Sequence, residues 1–216
     1  MIPVTVSSCR VRIIENALLH NPRRAEHTMV MPATQGRRWT AAEVRALPEE
    51  PGKQYEVIDG ELFVSPGPSY AHQFVTAELL GRLRAYVHAQ KLGYVLMGPG
   101  DVESDAYTLV QPDVFVVPPV EDRAPRDFAE ARRLLLAVEV LSPSSGRKDH
   151  VVKRRLYQRM DTEYWIVDPD ARVVERWRPG DESAELAEEW LTWQPEHASE
   201  ALVIDLVAMF AEALDR

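Results

Sequence analysis

Two carboxylates and one amine stand where the surrounding sequence gives them unusual company. The run Leu134-Leu135-Leu136-Ala137-Val138-Glu139-Val140-Leu141 is apolar on both faces of the strand it predicts, yet it carries Glu139 near its end. A buried carboxylate without a counter-charge costs several kcal/mol or stays protonated. Glu139 therefore needs an Arg, a Lys or a metal, and structural pairing and ligation both remain open on this run alone. Strand alternation places it on one face with Leu135, Ala137 and Leu141. Asp113 follows Gln111-Pro112 and opens the apolar strand Asp113 to Val117. Pro112 lacks an N–H and suits a strand's first position or edge, although an Asp there is also a common loop or cap residue. Lys153 lies in the predicted helix Asp149 to Met160, where Asp149, Lys153 and Tyr157 recur at i, i+4 and i+8. That spacing lines one helix face. It also describes a solvated face with an Asp–Lys pair. The short connection Ser142-Pro143-Ser144-Ser145-Gly146 lets the helix fold back and carry Lys153 towards the acids.

Taken together, two acids on adjacent strands can hold a divalent cation, and an amine beside them can support or deprotonate a water. Such a cation neutralises phosphate charge and generates hydroxide near neutral pH. Hard oxygen donors suit Mg2+ (or Mn2+) better than zinc. Glu56 could add a third carboxylate, with structural pairing at least as good a reading. His72 lies in the first turn of a long helix and reads first as a capping or surface histidine, second as a base. His150 could meet phosphate but defaults to a solvated side chain. Trp165, Trp177, Trp190 and Trp193 read as core or sheet-packing residues. The sequence holds no P-loop, dinucleotide fingerprint, HExxH or nucleophile elbow.

The elements that must position these residues form a mixed α/β (α+β) pattern. Thr40 and Glu43 make a capping box for a short helix that Pro48 ends. Gln54 to Asp59 and Glu61 to Ser65 form a hairpin around Asp59-Gly60. Ser69 to about Gln90 is a helix, with Val75, Leu79, Leu83 and Val87 on one face and Gly93 as its stop signal. Strands follow at Tyr94 to Met97, Val102 to Ser104, Asp113 to Val117 and Leu134 to Leu141. Glu163 to Val167 and Arg172 to Trp177 predict a second hairpin, and Leu206 to Leu214 a terminal helix. The hairpins make the central sheet at least partly antiparallel.

At 216 residues with 45% hydrophobic content, the chain fits one domain with a sizeable core. Residues 1–36 are irregular, with Pro3, Pro22, Pro32 and Gly36 and one short helical stretch near Ile13 to Leu19. They read as a loosely ordered extension to a domain at 37–216, or as an over-extended gene start, since Met29 and Met31 precede the globular pattern. Limited proteolysis should trim this extension and leave the domain folded; a chain starting near Arg37 that failed to fold would contradict the division. The lone Cys9 fits a reducing cytoplasmic setting. No apolar run nears the ~20 residues of a membrane span, and no secretory signal is evident. The net charge of −9 leans against tight nonspecific nucleic-acid binding. Yet Ser142 to Met160 holds six basic residues against Asp149, and the acidity is concentrated between Pro179 and Glu200.

Several spaced motifs also resemble a known family. Tyr55-Glu56-Val57-Ile58-Asp59-Gly60-Glu61-Leu62, His72, Pro112-Asp113, Val138-Glu139-Val140-Leu141-Ser142-Pro143-Ser144, then Asp149, Lys153 and Tyr157, then Glu163-Tyr164-Trp165-Ile166-Val167-Asp168-Pro169 look like the Uma-type restriction endonucleases of the PD-(D/E)XK superfamily. The resemblance runs from about Trp39 to the C-terminus. It implies a restriction-endonuclease-like core, a mixed central sheet flanked by helices, with Asp113 and Glu139 binding magnesium. The superfamily's lysine two residues after the glutamate is replaced by Leu141, and the resemblance hands its place to Lys153. DNA is then the expected substrate, with Arg147, Lys148, Arg154 and Arg155 contacting phosphates. A homodimer is one expected assembly. RNA as substrate, or a non-catalytic binding or regulatory module on the same fold, are the alternatives.

Overall fold

The computed structural model describes residues 12–13, 37–142 and 148–215. In chain order the elements are β1 (Arg12–Ile13), α1 (Ala41–Arg45), β2 (Lys53–Ile58), β3 (Glu61–Pro66), α2 (Tyr70–Ala89), β4 (Tyr94–Met97), β5 (Val102–Asp105), β6 (Thr108–Val110), β7 (Val114–Val117) and β8 (Leu136–Val140). A π-helical segment (Lys148–Lys153) runs into α3 (Arg154–Arg159). β9 (Glu163–Asp168), β10 (Val173–Trp177), β11 (Glu185–Ala187), β12 (Trp190–Trp193), β13 (Leu202–Asp205) and α4 (Leu206–Leu214) complete the chain.

Seven strands form the main sheet in the order β1-β11-β10-β9-β8-β7-β4, with β8 and β9 parallel and the other pairs antiparallel. The first hairpin is not part of it. β2 and β3 turn at Asp59-Gly60, where both residues have positive φ (53° and 86°), as a tight two-residue hairpin turn requires. They join β6 and β5 in a separate four-stranded sheet, and β12 and β13 make a two-stranded one.

Strand alternation sorts the main sheet into two cores. Val114, Val116, Leu136, Val138, Val140, Trp165 and Val167 face α2 and α4, burying Val75, Leu79, Leu83 and Val87 of the one and Leu206, Met209 and Phe210 of the other. Phe115, Val117, Ala137, Tyr164 and Ile166 face the opposite way, onto α3 and onto Ile58, Phe63, Val102 and Val110 of the smaller sheet. Helices lie on one side and a second sheet with α3 on the other, so the main sheet is covered on both faces. That explains why β7 and β8 read as continuous apolar runs.

Several sequence readings change here. Leu135 packs into the α2 side, away from Glu139's face, because it precedes the regular strand. Trp190 is exposed at 47%, since β12 alternates and turns it outward, whereas Trp165 and Trp193 are core. β6, β11, β12 and β13 are additional strands. Ile13 lies in β1, paired to β11, and the rest of the helix expected up to Leu19 falls outside the described residues. Among the described residues no helix is long and apolar enough to cross a membrane.

Candidate active site

β7 and β8 set the acids side by side. Val114 pairs with Val138 and Phe115 with Ala137, so one step further the strands bring Asp113 beside Glu139 on the face shared with Phe115 and Ala137. The Asp113 N–H donates to Val138 O at 3.1 Å, and Val140 N–H donates to Asp113 Oδ2 at 2.8 Å. His72 Nε2 lies 3.0 Å from the same Oδ2. A carboxylate only accepts, so Nε2 carries the proton. His72 is thus neither the helix cap, which is Ser69, nor a surface residue; it is buried against Asp113.

Glu139 is 4% exposed and Lys153 2%. Lys153 Nζ donates to Glu139 Oε1 at 2.7 Å, and Tyr157 Oη donates to the same oxygen at 3.2 Å. Lys153 Nζ also stands 2.9 Å from Glu56 Oε1 and 4.0 Å from Asp149 Oδ1. Glu56 reaches the cluster from β2, where it shares the face of Ile58. It accepts from Gln111 N at 2.7 Å and from Lys148 Nζ at 2.7 Å. Lys148, expected at a phosphate-contacting surface, is instead buried in that pair. The reason is local. In a π-helix the hydrogen bonds run i to i+5, so residues five apart come close to one side. Lys148 and Lys153 both turn onto Glu56, an arrangement that the 3.6-residue period hides.

The remaining basic residues divide. Arg154 stacks over Trp177 with its guanidinium carbon 4.5 Å from the ring centroid, Arg155 is exposed, and Arg147 lies outside the described residues. His150 Nε2 is 2.9 Å from Glu175 Oε1. Asp149 and Tyr164, the latter donating to Asp149 O at 3.3 Å, join the cluster without having been singled out as site residues. Tyr157's place on the Lys153 face was the signal that could have found its role.

The sequence profile described as "Uma2: Putative restriction endonuclease" matches residues 41–207, well over half of the chain. The chain belongs to the Uma2 family. The Uma2 fold seen here is similar to a crystal structure described as a putative nuclease belonging to DUF820, from Anabaena variabilis. The TM-score is 0.65 at 23% identity, over 82% of this chain and 99% of that one. At that identity the likeness concerns the fold, which is nuclease-like. No curated protein matches the chain.

Electrostatics decide what the Uma2 site can hold. Among the described residues it gathers four carboxylates (Glu56, Asp113, Glu139, Asp149) against two ammonium groups (Lys148, Lys153). Burial pushes the Glu139 carboxyl well up; Lys153 opposes this, and the charges of Asp113, Asp149 and Glu56 reinforce it. Burial also pushes Glu56 up, but Lys153, Lys148 and the Gln111 amide outweigh it and hold Glu56 at about 2. Lys153 moves well up despite its burial, because Glu139, Glu56 and Asp149 surround it. Although Glu139 and Lys153 are partners, both shift upward. Burial outweighs the one lysine that Glu139 shares with Glu56 and Asp149, while those same acids hold the proton on Lys153.

A divalent cation fits this donor set. Both bonds to Asp113 fall on Oδ2 and both to Glu139 on Oε1, so Oδ1 and Oε2 have no protein donor among the described residues. If all six groups were ionised, their net charge would be −2, which one divalent ion balances. Among the described residues no three His, Cys, Asp or Glu side chains form a ready-made metal cage. Magnesium commonly keeps several waters and uses one or two carboxylates.

Proposed function

We propose that this Uma2 protein is a metal-dependent endonuclease that hydrolyses phosphodiester bonds of DNA. The observation that carries the reading is the Lys153–Glu139 contact of 2.7 Å on the sheet face that also presents Asp113. In this reading Asp113 and Glu139 would hold magnesium or manganese. When bound, the ion supplies positive charge against the scissile phosphate and acidifies water. His72 Nε2–H and Val140 N–H fix Oδ2 of Asp113 and so orient its other oxygen. Glu139, Glu56 and Asp149 keep Lys153 protonated despite its burial. The amine therefore serves as a donor that positions the attacking water and offsets charge developing on the phosphate, and another group or solvent takes the water's proton. Tyr157 fixes the rotamer of Glu139.

Incubation of the purified protein with plasmid DNA tests this. Nicking or linearisation is expected with magnesium or manganese and not with chelator. Glu139→Ala should cut at least about a hundredfold more slowly, given that an ion's charge stabilisation is worth several kcal/mol. Cleavage undiminished in Glu139→Ala would overturn the assignment.

The Lys153–Glu139 ion pair favours a second reading, a non-catalytic nucleic-acid-binding or regulatory module whose Lys153 itself neutralises the acids. Retention of plasmid without metal-dependent cleavage would support it.

A further inference from the structure

Four strands end the two larger sheets, and three of them carry features that discourage further pairing. β1 holds Arg12, β3 opens on Glu61 and closes on Pro66, and β5 holds Glu103 and Asp105 across a shift in register. Charge, proline and broken register are the usual guards of an open edge. β4 has none of them; it reads Tyr94-Val95-Leu96-Met97. Met97 is 46% exposed and Tyr94 38%. The pairing with β7 fixes which way the β4 backbone points. Gly98 N–H donates to Asp113 O at 3.0 Å, in step with Met97 opposite Val114. Antiparallel strands alternate bonded and non-bonded pairs. Tyr94 and Leu96 therefore turn their N–H and C=O groups to β7, while Val95 and Met97 turn theirs away. Among the described residues no strand or side chain meets those outward groups.

We propose that β4 is the contact through which two copies of this chain pair, antiparallel about a two-fold axis at Leu96, joining their main sheets into one. The occupant follows from the strand's self-complementarity. With the axis at Leu96, Val95 of each copy stands opposite Met97 of the other, and the outward N–H and C=O groups of these residues satisfy one another. A two-fold contact needs just such a surface that matches itself. The side chains agree with the backbone. Val95 packs on the α2 side of the sheet and Leu96 on the other, and alternation puts Met97 on the side of Val95. Each exposed Met97 thus covers Val95 of the other copy, and Leu96 meets Leu96 across the axis. No charge is buried in the process. A foreign extended segment would find the same backbone groups, but capture of such segments takes its specificity from side-chain pockets. The clefts beside Arg45 and Asp101 are lined by no β4 residue. The inference gives the expected homodimer a surface and stands apart from the nuclease reading.

Sedimentation of the full chain at micromolar concentration should show a dimer. Met97→Lys supplies the missing guard on a side chain already in solvent. Because the two-fold makes one substitution act twice, it should raise the dimer dissociation constant at least about tenfold. Met97→Leu should keep the dimer. A second measurement does not need Met97→Lys to fold. In a Cys9→Ser background no native thiol competes, and Leu96→Cys should form an intermolecular disulfide under mild oxidation. Non-bonded antiparallel partners stand about 4.5 Å apart at Cα, within disulfide reach. Glu182→Cys, exposed between β10 and β11 and several strands away from β4, should not crosslink. A monomeric wild type, a dimer indifferent to Met97→Lys, or crosslinking at position 96 no faster than at 182 would overturn the proposal and leave the nuclease reading untouched.

Discussion

Lys153→Met should cost about 3–5 kcal/mol of folding stability, the usual penalty for breaking a buried ion pair by removing one partner. The length of the side chain is nearly kept, so the loss isolates the charge. Three carboxylates now share this ammonium: Glu139 at 2.7 Å, Glu56 at 2.9 Å and Asp149 at 4.0 Å, all of them buried. Without it, Glu56 keeps Lys148, but Glu139 keeps only the Tyr157 hydroxyl. Domains are stable by about 5–15 kcal/mol in total, so the variant should unfold at a much lower urea midpoint. Adding Glu139→Gln to Lys153→Met should recover part of the loss, because the amide oxygen still accepts from Tyr157 and one stranded charge is gone. The pH dependence follows from Glu56. Its folded value near 2 lies below the usual 4.5, so its stabilisation is present above 4.5 and lost as pH falls through about 2. In Lys153→Met the stranded acids protonate earlier and shed their penalty. The gap to wild type should therefore narrow as pH falls towards 2. A urea midpoint within error of wild type at neutral pH would mean that the amine contributes nothing to the fold.

The parts of this site that were legible in the sequence are those where physical cost makes a residue conspicuous. Glu139 stands out because an apolar run covered on both faces must compensate a carboxylate. Asp113 is less conspicuous, because an Asp that follows Pro112 at a strand's opening reads as readily as a loop or cap residue. The α2 helix declares itself through Val75, Leu79, Leu83 and Val87, and the first hairpin through Asp59-Gly60. What stayed hidden depends on winding or on long-range placement. The π-helical start at Lys148 puts two lysines on Glu56, and a period of 3.6 assigns Lys148 to the surface instead. β2 reads as a strand but not as a member of a second sheet; Val57 and Ile58 are both buried because the smaller core covers one and the main sheet the other. β11 and β12 lie in the acid-rich stretch and are only three and four residues long, so an alternation as short as Trp190-Leu191-Thr192-Trp193, with an outward Trp, does not stand out from its acidic flanks. His72 looked like a capping residue, and only the fold brings Asp113, forty-one positions away, within reach of its ring.

Magnesium or manganese should raise the melting temperature of wild type, and the rise should shrink as pH falls. Burial, and then the charges of Asp113, Asp149 and Glu56, push the Glu139 carboxyl up against the pull of Lys153. In the metal-free protein, Glu139 therefore holds its proton to a higher pH than in the unfolded chain. Its contribution to stability is present below the usual carboxyl range and lost as pH rises through its folded value. A divalent ion reverses that preference, so binding should release protons and strengthen with pH. At an ion concentration about 100 times the dissociation constant the gain is about 2.7 kcal/mol. For a chain of this size that corresponds to roughly 5–10 °C. Glu139→Gln keeps an acceptor for Lys153 and Tyr157 but removes the charge the ion needs. It should abolish the metal-dependent rise while leaving the metal-free protein at least as stable as wild type near neutral pH. Melting curves at two pH values, with and without each ion, separate the outcomes. A wild type that responds to neither ion would take the cation out of the mechanism, leaving Lys153 as the counter-charge of a binding module. A response that survives Glu139→Gln would move the ion away from the β7–β8 acids altogether.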